Sequence, residues 1–312
     1  MNSTLPLLDE AERFLLHAGR LLERLRFDHV FRAGDRAASA ARVLTALRPY
    51  QNDDGGFGQI LEPDFRGPVS QPMCVDQAFR VLDELDVPNA FEDATATRAL
   101  DYLLRVRAAD GGVPNVLSMD VDYPRAPWWQ ADPAQPGCLL PTASLAGLLH
   151  KHHVEHAWLA DATTFCWRAL AEVPALLAKA SERLPLLQAL YEIRAAIVFL
   201  DHVPDRKRAE QTAAELGRAL HDKAVFARKA GPDSEISEPL DFAHEPHSLA
   251  RRWFDDRVIE SALNRLVASR EPDGGFPISW QVWTPLAGLE WRGVMTIDRL
   301  KTLRAYGVLA RD

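Results

Sequence analysis

An Asp-Gly-Gly turn occurs three times in this chain, each time after an amphipathic helical segment, and it limits the folds that the chain can adopt. The three copies lie within Leu47–Gly58, Leu103–Pro114 and Arg265–Pro277. In such a turn the Asp side chain can accept hydrogen bonds from nearby backbone N–H groups, and a glycine can adopt the positive φ that other residues avoid. We therefore expect each turn to end a helix, and the apolar residue after the glycines to pack against that helix end. These apolar residues are Phe57, Val113 and Phe276.

The spacing of the turns predicts a repeated helical unit. Gly55 and Gly111 are 56 residues apart. Gly111 and Gly274 are 163 apart, or about three intervals of roughly 54. The 312 residues would then form six units of about 52 residues, each long enough for two helices. This pattern predicts an all-α (α/α)₆ toroid, or barrel, of about six helical hairpins in a single domain over residues 1–312. Two units would lack the glycine turn. The alternative is a set of unrelated helix ends, because Asp-Gly is common in turns.

Apolar residues also recur at spacings of three and four along much of the chain, which is typical of amphipathic helices. Proline and glycine lie between these segments, where they end one helix and start the next. No convincing run of alternating β-branched residues interrupts them. The predicted helical segments are Leu7–Phe27, Ala37–Leu47, Cys74–Leu85, Ala94–Val106, Leu184–Leu200 and Arg257–Val267.

Charge and cysteine content exclude some classes of function. The formal net charge is −8, with 36 Lys and Arg against 44 Asp and Glu, which disfavours nucleic acid as a partner. The three cysteines are far apart and lack CxxC spacing, which is typical of reduced thiols in a cytosol. Acids at Asp9, Glu10 and Glu12 favour an amphipathic helix over a signal peptide. No segment approaches the roughly 18 apolar residues of a membrane span. The sequence therefore predicts a cytoplasmic protein that is not an integral membrane protein.

Two segments carry a resemblance to a known superfamily. Gln51–Gly58, QNDDGGFG, resembles the QW-type repeat of squalene and hopene cyclases, in which a Gln precedes a Gly-aromatic turn and ties successive helical hairpins together. The other two copies have Arg107 and Arg270 near the place of the Gln, and Val113 replaces the aromatic residue. The stretch from Asp273 onward resembles actinobacterial proteins described as prenyltransferase-like or squalene-cyclase-like. The resemblance implies the terpenoid-cyclase and protein-prenyltransferase α/α toroid, with an isoprenoid or other apolar small molecule in a central cavity.

The chain departs from the catalytic motifs of that superfamily. No DxDD motif, which supplies the proton in class II terpene cyclases, occurs in the sequence; the nearest approach is Asp120-Val121-Asp122-Tyr123. No Asp-x-Cys zinc motif is present either, since Cys138 follows Pro136-Gly137. The Asp-rich DDxxD motif that binds diphosphate through Mg²⁺ is also missing. The sequence therefore signals no metal and no cofactor.

The loop after the second glycine turn combines acids with aromatic residues. Asp120 and Asp122 are candidate catalytic acids, because apolar walls raise the pKa of a carboxyl and prepare it to protonate a substrate. Tyr123, Trp128 and Trp129 are candidate substrate-binding residues whose rings could stabilise a developing cation. The alternative is a solvated loop whose tryptophans plug the end of the barrel. The segment Glu62–Arg66 could add a rim of acids, but a salt-bridged loop is the favoured interpretation.

Two further segments near the C-terminus carry candidate residues. Asp241 is a candidate for substrate binding and His244 for catalysis, because a loop histidine can act as acid or base near neutral pH. In the second segment Glu290 and Arg292 alternate around Trp291 and could point together on an extended segment, where they would orient a substrate anion. They could equally close the barrel through a buried ion pair to the first hairpin. Trp280 and Trp283 are the candidate aromatic residues of that segment.

One apparent zinc-protease motif is rejected. His152-His153-Val154-Glu155-His156 matches H-x-x-E-H, a pattern that requires one continuous helix to bring both histidines to one face. Here the match falls between two amphipathic segments, Ala143–Leu149 and Trp158–Leu170, where a hairpin turn is due. A polar turn is the better interpretation.

Three functional hypotheses follow. The preferred one is a terpenoid-cyclase-like or prenyltransferase-like enzyme that acts on an isoprenoid or similar apolar small molecule. The second is a non-catalytic toroid that binds a ligand or another protein, as complement thioester domains do. The third is a glycan-active (α/α)₆ barrel, in which two carboxyls would flank a cleft lined with tryptophan. A protein partner or a second copy of the chain remains an open alternative in each.

Overall fold

The computed structural model describes residues 5–87, 90–179, 183–227 and 237–309. This part of the chain contains eleven α-helices and two isolated β-bridges, and no strand. The all-α prediction is therefore confirmed for the described residues. The helices are α1 Leu5–Ala18, α2 Leu21–Phe31, α3 Arg36–Leu47, α4 Pro72–Leu85, α5 Ala94–Val106, α6 Leu139–Lys151, α7 Ala157–Lys179, α8 Arg183–His202, α9 Arg206–Asp222, α10 Asp256–Ala268 and α11 Pro285–Ala305.

Five helices, α2, α4, α6, α8 and α11, contact one another in succession and are called the central helices below. α11 contacts α2, α2 contacts α4, α4 contacts α6, and α6 makes its largest contact with α8. The other six helices flank them. α1 packs on both α11 and α2, α3 on α2 and α4, α5 on α4 and α7, and α7 on α6, α8 and α9. Central and flanking helices therefore alternate along most of the chain.

Burial explains why the helices divide in this way. Every residue of α6 from Pro141 to Leu149 is buried, as expected for a helix that neighbours surround on all sides. In α3, by contrast, the buried residues Ser39, Ala40, Val43 and Leu47 follow helical spacing along one face, and the opposite face lies in solvent. None of the described helices is both long and apolar enough to cross a bilayer.

The three Asp-Gly-Gly turns have the geometry that the sequence predicts. Gly55, Gly111 and Gly274 have φ of +87°, +93° and +93°. The side chains of Asp54, Asp110 and Asp273 accept hydrogen bonds from the backbone N–H of Gly56, Gly112 and Gly275 at 2.9, 3.1 and 3.0 Å. Phe57, Val113 and Phe276, which follow the glycines, are fully buried. These Asp residues are therefore structural turn residues.

Each turn also joins one helical pair to the next flanking helix. The α-carbon of Gly55 lies against the Arg98 carbonyl of α5, and that of Gly111 against the Asp161 carbonyl of α7. The Gly274 turn, near the end of the chain, lies in the same way against Glu10 of α1. Only glycine allows this approach, because a Cβ at any of the three positions would collide with the facing backbone. The first turn is tied further by Gln51, whose side-chain amide donates to the Thr95 carbonyl of α5 at 2.8 Å.

A Gly55→Ala substitution is expected to lower the free energy of unfolding by about 1–3 kcal/mol, because alanine would be strained at positive φ and would collide with the Arg98 carbonyl. Urea denaturation of the purified variant measures this change. Gly34→Ala is the matched control, since a Cβ at Gly34 meets no atom within 4 Å. Equal stability of Gly55→Ala and the wild-type chain would contradict the proposed role of the turn.

The helix pattern differs from the sequence prediction at Arg20 and between α9 and α10. The segment predicted as one helix over Leu7–Phe27 is two helices, because Arg20 is extended (φ −64°, ψ 164°) and caps α2. The described part of the chain between α9 and α10 contains two 3₁₀ turns, Pro239–Asp241 and Leu249–Trp253. A regular helical hairpin would supply another central helix at this place. The even repeat of two helices per unit is therefore interrupted before α10.

Candidate active site

A cavity of about 1880 Å³ lies among the central helices. It is larger than the roughly 300–1,000 Å³ of most small-molecule pockets. Each central helix contributes a polar side chain to its wall, namely Arg26, Asp76, Ser144, Glu192 and Asp298. The loops that follow the first two glycine turns contribute further residues to the wall, including Glu62 and Trp128. Side chains from both helices and loops therefore form the wall of the cavity.

Two buried carboxyls of the loop after the first glycine turn face this cavity. Glu62 is 3% exposed and Asp64 is 5% exposed, and both line the wall. The backbone N–H of Asp64 donates to Glu62 Oε2 at 2.9 Å, which fixes the Glu62 side chain beside Asp64. Glu62 and Asp64 are called the acid pair below.

Burial changes the ionisation of both carboxyls. It raises the pKa of Glu62 well above its ordinary value, and the neighbouring negative charge of Asp64 raises it further. Burial also raises the pKa of Asp64, while the indole N–H groups of Trp291, Trp128 and Trp283 favour its charged form and oppose that rise. A carboxyl that holds its proton to higher pH is suited to give that proton to a substrate.

Tryptophan side chains surround Asp64. The indole N–H of Trp128 donates to Asp64 Oδ2 at 3.0 Å. The indole N–H groups of Trp283 and Trp291 also act on this carboxyl, although both are buried and neither has a fully aligned acceptor in the described part of the chain. Trp280 contacts Trp291 edge-to-face, with 5.2 Å between ring centroids. One carboxyl therefore lies within a wall of indole rings.

The backbone of this loop is held in an unusual conformation. Gln59 and Ile60 have φ of +53° and +66°, a region that a β-branched residue rarely adopts. Arg20 holds the segment by donating to the carbonyls of Ile60 and Leu61 at 2.7 and 3.2 Å. Strained backbone of this kind persists where the surrounding contacts enforce it, and it is common at functional sites.

Contacts from distant segments fix the acid pair. The Asp64 carbonyl accepts from the backbone N–H of Ala126 at 2.8 Å, which joins the loop to the one after the second glycine turn. Arg66 pairs with Glu290 of α11 at 2.8 Å. Behind the acid pair, Phe65 is fully buried and stacks on Trp129 at 5.1 Å between ring centroids.

The structure places the predicted catalytic acids away from this site. Asp120 and Asp122 are exposed, and neither lies on the cavity wall. The Asp122 side chain is 90% exposed and pairs with Arg125 at 2.6 Å. Of the aromatic residues predicted beside them, Trp128 and Trp129 line the cavity. Tyr123 contacts the edge of Phe65 at 6.2 Å between ring centroids.

The candidate residues near the end of the chain divide into two groups. Trp280 lines the cavity and Trp283 lies near Asp64. Glu290 and Arg292 lie in α11, so the prediction of an extended segment is wrong. Arg292 makes two hydrogen bonds to Asp273 of the third glycine turn, at 2.8 and 2.6 Å. It therefore braces the turn from the adjoining helix.

Asp241 and His244 lie on another part of the cavity wall. The Asp241 side chain is buried between Arg194 of α8 and Arg299 of α11, at 3.4 and 2.9 Å. Although burial opposes ionisation, these two arginines hold the pKa of Asp241 below its ordinary value. His244 is half-buried on the wall. Asp241 thus joins α8 and α11 across the segment that lacks a regular central helix.

The rejected zinc motif is a turn, as predicted. α6 ends at Lys151 and α7 begins at Ala157, so His152 and His156 do not share a helix. Throughout the described ranges, no group of three or more His, Cys, Asp or Glu side chains has the arrangement to hold a metal ion.

The sequence carries only a weak signal for the acid pair. The favoured interpretation of Glu62–Arg66 is a salt-bridged loop, and Arg66 is indeed ion-paired with Glu290. The same loop also places the acid pair on the cavity wall. Trp291 was missed as a site residue, although it stands between two residues that the sequence singled out. Its helical position brings the indole to Asp64.

A Glu62→Gln substitution is expected to stabilise the fold increasingly as the pH rises. Because the folded-state pKa of Glu62 is raised, the folded chain keeps a proton that the unfolded chain releases above about pH 4.3. The Glu62 carboxyl therefore lowers the free energy of unfolding as the pH rises from about 4.3 toward its folded-state pKa. Glutamine does not titrate, so the variant avoids this loss. Urea denaturation between pH 4 and 8 should show a growing gain that exceeds the ~0.5 kcal/mol of surface substitutions. A difference that is constant with pH would contradict the assignment.

Comparison with known proteins yields a fold neighbour. No protein-family model and no curated protein matches the chain. The crystal structure of a protein from Actinoplanes is similar, with a TM-score of 0.56 and 17% sequence identity. The similarity covers 97% of this chain and 99% of that chain. At this level of identity the similarity is evidence for a shared fold alone.

Proposed function

We propose that the central helices close into an α/α toroid around the cavity, with the segment from Pro239 to Trp253 in place of a regular sixth central helix. Two contacts support closure. Asp241 bridges α8 and α11 through Arg194 and Arg299, and the last glycine turn lies against Glu10 of the first helix. Helical pairs that each bury one face against their neighbours close naturally in this way.

The chain acts, in this proposal, as an enzyme that transfers a proton to a small molecule in the cavity. The observation that carries the proposal is the acid pair. Glu62 and Asp64 are both buried, both face the cavity, and the pKa of each is raised by burial. Asp64 is the proton donor, because the indole N–H of Trp128 donates to its carboxyl and those of Trp283 and Trp291 lie near it. These groups can stabilise the negative charge that is left after the proton departs. Glu62 lies beside it as a second proton carrier.

The substrate has an apolar part that lies against the tryptophans. Trp128, Trp129, Trp280 and Trp291 line the cavity where the acid pair lies, and their rings favour both apolar groups and a cation that develops on protonation. An isoprenoid is the class that the resemblance to terpenoid cyclases implies. In the same proposal the chain is cytoplasmic and encounters this substrate there as a soluble metabolite.

A search for the substrate tests this function. The purified chain would be examined by native mass spectrometry for co-purified small molecules, then incubated with cell extract while metabolites are followed by mass spectrometry. We expect a bound compound with an apolar part, and its conversion to a product that differs by addition, loss or relocation of a proton. A compound that binds but is never converted would favour the non-catalytic toroid.

A glycan-active toroid is a second candidate that a specific observation favours. Thirteen carboxyl side chains and four tryptophans are among the residues that line the cavity, and paired carboxyls beside tryptophan are the arrangement of sugar-cleaving sites. Incubation with a panel of soluble oligosaccharides separates the two candidates. Release of reducing ends would replace the isoprenoid class with a carbohydrate.

A further inference from the structure

The basic side chains of the cavity wall are already engaged by the protein. Seven Arg and Lys residues line the cavity, and six of them pair with carboxylates. These six are Arg26, Arg80, Lys151, Arg194, Arg299 and Lys301. The seventh, Arg168, donates to the Asp110 carbonyl at 3.0 Å and lies over the Phe165 ring. None of these seven Arg and Lys side chains on the described wall is therefore freely available, and the other basic residues that line the cavity are His202, His244 and His247.

The carboxyls outnumber the Arg and Lys residues, and several of them form no ion pair within the described ranges. Thirteen line the cavity, and within the described ranges Glu62, Asp64, Glu192 and Asp201 form no ion pair. Burial raises the pKa of all four. A buried carboxylate without a cation is costly, and a positively charged ligand would remove that cost.

Glu192 of α8 is the best placed of these to meet a ligand outside the acid pair. Its Oε1 accepts from Gln188 at 3.1 Å and lies 3.9 Å from the Cys138 sulfur. No hydrogen bond engages Oε2 in the described part of the chain. Asp201, by contrast, is occupied as an acceptor for the backbone N–H of Leu249 at 2.7 Å.

Two independent features of the same wall also point to a cation. Asp76 is 1% exposed, and although its Oδ2 pairs with Arg80, its Oδ1 is buried with no donor among the described residues. An orphaned buried acceptor on a cavity wall is a place for a ligand N–H group. The second feature is the tryptophan wall around Asp64, because indole faces attract cations more strongly than other side chains do.

We propose that the ligand of this cavity is an amphipathic amine, whose protonated nitrogen binds the carboxylate of Glu192 and whose apolar part lies against the tryptophans. The Oδ1 of Asp76 on the same wall, unpartnered among the described residues, is a further acceptor for N–H groups of such a ligand. An ammonium group fits better than a metal ion, since it donates several hydrogen bonds and needs no preformed cluster of ligands. The inference names the substrate class of the proposed function and rests on it for the use of this cavity.

Three small-molecule probes that share an eight-carbon alkyl chain and differ in their head group test the inference. Binding of octylammonium, octan-1-ol and octanoate would be measured by isothermal titration calorimetry at pH 7.5 and low salt. We expect octylammonium to bind at least tenfold more tightly than octanol, and octanoate to bind more weakly than either. Added salt should weaken the binding of octylammonium and leave the binding of octan-1-ol unchanged. Equal affinity for amine and alcohol would overturn the proposal.

A Glu192→Gln variant locates the site. It should weaken octylammonium at least tenfold and leave octanol binding unchanged, whereas the control Glu260→Gln, on the exposed face of α10, should change neither. An amine preference that survives in Glu192→Gln would contradict the assignment of this residue. The binding assay does not depend on turnover. If the wild-type chain showed no preference for the amine but catalysed its reaction, this inference alone would be overturned. If the wild-type chain preferred the amine but no substrate were converted, the proton-transfer function alone would be overturned.

Discussion

Replacing Asp64 with asparagine is expected to lower turnover by about 100- to 10,000-fold, the range that a general acid contributes. Asparagine keeps the size of the side chain and an oxygen that can accept from Trp128, but it carries no proton to give. The substrate found in the extract search provides the assay, with turnover measured as a single time course at saturating substrate. Binding of that substrate should change far less than turnover, because the tryptophan wall stays intact.

The pH profile of the wild-type enzyme gives a second readout. The reactive form of Asp64 is protonated, and burial raises its pKa. The rate should therefore be highest at low pH and fall as the pH rises through that pKa. A Trp128→Phe variant removes an indole donor that favours the charged form, so its fall in rate should occur at higher pH.

Asp120→Asn and Asp122→Asn are matched controls, since they make the same chemical change at exposed carboxyls of the neighbouring loop. They should retain wild-type turnover. If instead a variant with both Asp120→Asn and Asp122→Asn lost activity and Asp64→Asn kept it, the catalytic acid would lie in the loop that contains Asp120 and Asp122. Thermal unfolding of each variant shows that the compared proteins are folded.

The glycine turns could be predicted from the sequence because their chemistry is local. Asp54, Gly55 and Gly56 lie within three residues, and the hydrogen bond and the positive φ are properties of the turn itself. The apolar spacing of the helices is also local information, which is why most predicted segments coincide with observed helices. The break at Arg20 is an exception, since periodicity continues across a single extended residue.

The acid pair could not be recognised with the same certainty, because burial of a loop depends on distant parts of the chain. Asp64 is enclosed by Trp128 of one loop and by Trp291 of α11, more than 220 residues further along. Nothing near Asp64 in the sequence signals this neighbour. Composition alone favoured the loop with Asp120 and Asp122, where acids and tryptophans are adjacent in sequence but the acids point to solvent.

A Glu84→Gln substitution is expected to destabilise the fold by about 3–5 kcal/mol at pH 7, the cost of removing one partner of a buried ion pair. Glu84 is buried in α4 and accepts two hydrogen bonds from Arg26 of α2, at 2.8 and 2.7 Å. Lys301 of α11 donates to the same carboxylate at 2.9 Å. One side chain thus joins three central helices. Without its charge the buried Arg26 would lose its shortest ion pair, and Lys301 would lose its carboxylate partner. Urea denaturation measures the loss.

The loss should disappear in acid, and this dependence identifies its cause. Although burial opposes ionisation, Arg26 and Lys301 lower the pKa of Glu84 to about 2. The contribution of the Glu84 carboxylate to the free energy of unfolding is therefore fully present above the unfolded-state pKa of about 4.3, and it is lost as the pH falls toward 2. The difference between the wild-type chain and Glu84→Gln should shrink below about pH 4, whereas the control Glu92→Gln, at an exposed carboxyl, should stay within ~0.5 kcal/mol of wild type at every pH. A loss that persisted unchanged at low pH would reflect packing, since it could not come from the carboxylate charge.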